Sequence, residues 1–134
     1  MIQVYSKNST TAEGATFALS NTAIVKGETA TLSGSTIQLN RQGVYSVHVD
    51  ASLEPTAAGL IDIQLYQDNI ALPQAEASET GAAAEISNLS FSTLVRCPNN
   101  NTPCCFTAPI NLTIVNNSES EVTGDINVVV TKIC

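Results

Sequence analysis

The side chains that could do chemistry are few in this chain. Its one histidine, His48, stands between Ser46 and Asp50. A hydroxyl, an imidazole and a carboxylate are the ingredients of a nucleophilic relay, in which the ring takes the hydroxyl proton and the acid orients the ring. Val47 and Val49 separate the three, so in a strand they share one face. Neighbours two apart along a strand stand roughly 7 Å apart, which predicts a row of separate polar groups rather than a relay. The carboxylates Glu54, Asp62, Asp68, Glu76, Glu79 and Glu85 are scattered. No spacing singles out two of them for paired acid–base work. The sequence has no glycine-rich phosphate loop, EF-hand spacing or His-Glu zinc motif. No catalytic residue, cofactor or metal is expected.

The cysteines are the one unusual cluster: Cys97, Cys104, Cys105 and Cys134. Four thiolates are enough for zinc, but zinc ribbons use paired C-x-x-C knuckles. Adjacent Cys104 and Cys105 point to opposite faces in an extended chain, so both can hardly ligate one ion. If residues 98–103 form a hairpin tip, Cys97 faces Cys104 or Cys105 at bridging distance. Cys134 would then join a second pair within or between subunits. Free thiols in a reducing cytoplasm are the other reading.

The elements that must position these groups read as strands. Ile37 and Leu39, then Tyr45, Val47, Val49 and Ala51, then Ile61, Ile63 and Leu65 alternate with polar residues. Leu89 and Phe91, and Ile110, Leu112 and Ile114, do the same. Period two gives each strand one apolar and one polar face, and places Tyr45, Val47 and Val49 in the core. Gly, Pro, Asn and Ser punctuate the runs. Gln67-Asp68-Asn69 predicts a hairpin between 61–66 and 70–72, with Pro73 ending the second strand or holding it at an edge. Residues 80–85 read as a loop with a turn of helix, and 11–23 as a short strand around Phe17 and Leu19. The last strand, 126–133, carries Val128, Val129 and Val130 and so looks apolar on both faces, as in a central strand or a subunit interface. About eight to ten short strands imply an all-β sandwich or barrel in one domain, residues 1–134, with 1–30 as N-terminal strands or an arm.

Composition removes several partners. The chain has 134 residues, only 13% of them charged, and a net charge of −7. Lys7, Lys26, Arg41, Arg96 and Lys132 are its only cations, and they are dispersed. Phosphate backbones and anionic membranes both require clustered positive charge, so neither nucleic acid nor membrane is an expected partner. The first residues alternate as Ile2-Gln3-Val4-Tyr5 and lack the long apolar run of a secretory signal, which predicts use without export.

Gly43-Val44-Tyr45-Ser46-Val47-His48-Val49 resembles the G-x-Y-x-apolar-x-apolar strand of the C1q and tumour-necrosis-factor-like jelly rolls. The similarity extends back through 35–39, forward through 61–69, and to the tail 128–133, covering roughly residues 30–134. Asp68-Asn69 stands where that family has Asn-Gly, and no Gly-x-y stalk is present. The flavour is that of phage head-fibre or capsid decoration proteins and of C-terminal domains of bacterial collagen-like spore-surface proteins. The resemblance implies a jelly-roll β-sandwich that forms a homotrimer through one sheet, with Ile126, Val128, Val129 and Val130 as the candidate interface strand. It further implies a non-enzymatic structural protein on a virion surface, contacting capsid or other virion proteins. The alternative is a receptor- or glycan-binding adhesion module of a phage tail or of a bacterial or spore surface, with a host surface as its partner.

Overall fold

The computed structural model describes residues 1–27, 30–41, 43–97 and 110–133. Ten strands follow one another: β1 (Ile2–Thr11), β2 (Asn21–Val25), β3 (Ala30–Ser33), β4 (Thr36–Leu39), β5 (Gly43–Pro55), β6 (Gly59–Gln67), β7 (Ile70–Gly81), β8 (Ser87–Cys97), β9 (Ile110–Asn116) and β10 (Val122–Lys132). They form two five-stranded sheets, ordered β2-β1-β10-β5-β8 and β3-β4-β9-β6-β7. Every pairing is antiparallel. The chain forms the all-β sandwich expected from its alternation, with the jelly-roll architecture that the resemblance implies.

The alternating apolar residues meet between the sheets. Ile2, Val4, Tyr45, Val47, Val49, Leu53, Val128 and Val130 from the first sheet are buried, as are Ile37, Leu39, Ile61, Ile63, Leu65, Leu112 and Ile114 from the second. Tyr45 is 0% exposed, and its hydroxyl donates to the Arg41 carbonyl at 2.6 Å. That bond satisfies the one polar atom the ring carries into the interior. β10 and β5 run so close that a Cβ at Gly124 would collide with the Ser52 carbonyl oxygen.

The hairpin at Asp68-Asn69 forms, with φ of 50° and 67°. Two left-handed residues are what a tight hairpin turn needs, and Asn and Asp tolerate that region best after glycine. Pro73 does not end its strand. β7 continues to Gly81 along the edge of its sheet, where a missing N–H need cost no ladder bond. The β6–β7 register shifts nearby, between Gln64 and Tyr66. Residues 80–85 hold a turn but no helix, with Ala84 at φ 61°.

The expected strand around Phe17 and Leu19 is instead an irregular arm. It touches the sheet through one bridge, Thr16 to Val115, while Phe17 and Leu19 plug the core. Asn116 ties the arm down. This buried amide donates to the carbonyls of Thr11, Ala12 and Ser120 and accepts from the Ser118 N–H. Apolar anchors and a satisfied buried amide replace the ladder that the arm lacks.

Candidate functional site

The first sheet has a core face and an open face, and the polar half of its alternation builds the open one. Antiparallel register sets those side chains in rows across four strands. Gln3, Val129, His48 and Ser92 form one row, and Tyr5, Asn127, Asp50 and Ser90 the next. Asp125, Ser52 and Asn88 continue it, while Thr131, Ser46 and Leu94 lie on the other side. Gln3 Nε2 donates to Asn127 Oδ1 at 3.0 Å, and Ser52 Oγ to Asn88 Oδ1 at 2.7 Å. The lower rows enclose an open cavity of about 580 Å³, lined among others by Tyr5, Lys7, Asp50, Asn88, Asp125 and Asn127. Leu94 stands 59% exposed on the same face.

His48 corrects the expectation that its neighbours stay apart. Its Nε2 lies 2.9 Å from Asp50 Oδ2, and its Nδ1 lies 2.6 Å from the oxygen of Ser92, not of Ser46. The strand spacing separates the backbones, but an imidazole and a carboxylate lying along the strand close the gap. Ser92 sits on β8, 44 residues away, and meets the ring because the β5–β8 register pairs the two positions. A Ser92–His48–Asp50 row therefore exists. The His48 and Asp50 side chains are 46% and 53% exposed on an open sheet face. In such high-dielectric surroundings these hydrogen bonds weigh little, whereas a nucleophilic site works by fixed donors in a water-excluded cleft.

The last strand is the middle strand of its sheet, one of the two places its apolar run predicted, but the interface reading of its apolar residues needs correction. Ile126, Val128 and Val130 point into the sandwich and are buried within the single chain, so they present no surface to another subunit. Strict alternation leaves only Val129 facing outward, in the row of His48. Backbone pairing places Cys97 at the end of β8 opposite Gly43. Cys104, Cys105 and Cys134, with residues 98–103 and the hairpin tip expected there, lie outside the described residues.

On the second sheet, Asp62 and Glu76 form a pair that sequence spacing does not mark. Asp62 is 8% exposed, and burial followed by the neighbouring Glu76 carboxylate raises its pKa to about 6. Its Oδ1 has no hydrogen-bond partner. Among the described residues, no group of three or more His, Cys, Asp or Glu side chains gathers as a metal cluster.

This geometry defines the class: two five-stranded antiparallel sheets in C1q/TNF-like jelly-roll order. No protein-family model matches the sequence, and no curated protein matches it either. Solved structures do match in fold. Murine APRIL at pH 5.0 superposes with a TM-score of 0.69 at 8% identity, over 98% of each chain. The globular domain of zebrafish complement 1qA gives 0.64 at 10% identity, over 96% of this chain and 94% of that one. The PRD1 vertex protein P5, a phage protein, gives 0.65 at 17% identity, over 99% of this chain and 96% of that one. The chain thus has the C1q/TNF-like jelly-roll fold and is similar in fold to the PRD1 vertex protein P5.

Proposed function

We propose that the chain is a non-enzymatic structural component of a bacteriophage particle, displayed on the virion surface as a homotrimer in the manner of a capsid decoration protein or head fibre. The observation that carries this reading is the whole-length likeness to a phage vertex protein. The fold hosts many functions, so the site must add to it. The open face of the first sheet supports self-association. Val129, Leu94 and Tyr5 sit there among Ser, Thr and Asn side chains that can pair across an interface, with Asp50 and Asp125 toward one side of the face. Closed cyclic assembly buries such a face without open polymerisation. The half-exposed Ser92–His48–Asp50 row is read as part of this polar face.

The cavity favours a second reading. One aromatic ring, Tyr5, among carboxylates and amides suits sugar hydroxyls, as in a glycan-binding module. The two readings compete for the same surface. Sedimentation of the purified protein separates them. A trimer of three 14.0 kDa chains is expected at micromolar concentration, with Val129→Asp dissociating it. A wild-type monomer that binds a glycan array would replace the first reading by the second.

A further inference from the structure

We propose that Asp62 and Glu76 form a divalent-cation site, of the oxygen-donor kind that takes Ca²⁺, on the outer face of the second sheet. Asp62, Gln64 and Tyr66 alternate outward on β6, and Glu76 and Ser78 lie beside them on the edge strand β7. The cross-strand register pairs Asp62 with Ser78 and Gln64 with Glu76, so the two carboxylates are diagonal neighbours. Asn117 closes the group from the end of β9, its amide donating to Gln64 Oε1 at 2.8 Å and to the Tyr66 hydroxyl at 3.4 Å. The cluster is thus held in place before any ligand arrives.

The observation that points to a ligand is Asp62 itself. It is more than nine-tenths buried, yet its Oδ1 has no partner. Its backbone groups are accounted for, since the N–H donates to Ser118 Oγ at 2.8 Å and the carbonyl accepts from the Asn117 N–H at 2.9 Å. Burying a carboxylate oxygen without a donor is costly, and placing a second carboxylate beside it adds repulsion. Among the described residues, no Lys or Arg forms an ion pair with either acid. Two species relieve this arrangement: a proton, which the raised pKa of Asp62 reflects, or a cation. Hard divalent cations prefer such carboxylate, amide and hydroxyl oxygens, with water completing the shell. Two carboxylates on a partly open face match the weak end of the Ca²⁺ range, with a dissociation constant on the order of 10⁻⁴–10⁻³ M. Occupancy would pin the edge strand β7 to β6 beside their register shift.

The test is calorimetric titration of CaCl₂ into chelator-treated full-length protein at pH 7.5, paralleled by thermal melts with and without 10 mM CaCl₂. Saturable binding in that range is expected, with a raised melting temperature. Asp62→Asn and Glu76→Gln should each weaken binding at least tenfold. Glu76 is exposed, so its variant tests the site even if Asp62→Asn unfolds. No saturable binding below 10 mM, or binding of equal strength in both variants, overturns the site. Neither result bears on whether the protein trimerises or belongs to a virion.

Discussion

Replacing Tyr45 tests the assignment of faces on which the structural account depends. The side chain is fully buried near the start of β5, between sheets that pack through Val47, Val49 and Leu65. An aromatic ring buries about 150–250 Å², which at about 25 cal/mol per Å² is worth roughly 4–6 kcal/mol of transfer free energy. Partial collapse of the cavity lowers the measured loss, so Tyr45→Ala is expected to cost about 3–5 kcal/mol. Tyr45→Phe keeps the ring and removes the 2.6 Å bond to the Arg41 carbonyl, so it should cost about 1 kcal/mol. A domain of this size has on the order of 5–15 kcal/mol in all, so the alanine variant sits near the edge of folding and the phenylalanine variant does not. The assay is urea denaturation followed by circular dichroism. Protein concentration must be equal throughout, because association makes stability concentration-dependent. A loss below about 1 kcal/mol for Tyr45→Ala would mean that the faces of β5 are reversed. Equal losses for Ala and Phe would mean that the hydroxyl, not packing, holds the ring.

Three further outcomes follow from the same packing and electrostatics. Gly124→Ala should cost about 3 kcal/mol or more, since the new methyl meets the Ser52 carbonyl and neither backbone can retreat without breaking the β5–β10 ladder; a melting temperature within 2 °C of wild type would contradict this. Asp62, beside Glu76, binds its proton more tightly folded than unfolded, so in chelator the wild type should lose stability as pH rises from about 4 to about 6. Asp62→Asn should flatten that segment of the pH–stability curve, and an unchanged slope would remove Asp62 as its cause. His48→Ala should leave the fold intact, because the ring is half exposed, and a broad hydrolase screen should be blank for both proteins. Turnover that vanishes specifically in His48→Ala would instead make the Ser92–His48–Asp50 row catalytic.

The parts of this structure legible from sequence are those governed by alternation. Ile61, Ile63 and Leu65, or Tyr45, Val47 and Val49, announce both their strands and their buried face, because period two is a local property. The Asp68-Asn69 turn is legible for the same reason. Register is not local. Ser92 faces His48, and Glu76 neighbours Asp62, only through pairings that the chain settles as a whole, so neither contact leaves a trace in spacing. The run Val128-Val129-Val130 shows the opposite failure. Three valines look two-faced, yet two are ordinary core and one alone reaches the open face. The arm carrying Phe17 and Leu19 misleads because a core can be filled by side chains whose backbone belongs to no strand. Its anchor, Asn116, is one of many asparagines and carries no mark of its burial.

The central claim is that this jelly roll is an exterior part of a virion, and immunogold electron microscopy tests it most directly. Particles are purified from a culture producing the protein and labelled, unbroken, with antibody raised against the trimer. The account predicts gold on the outer surface of intact particles at regular positions on the head. Particles free of label, with all the protein remaining in the particle-free fraction, would contradict it.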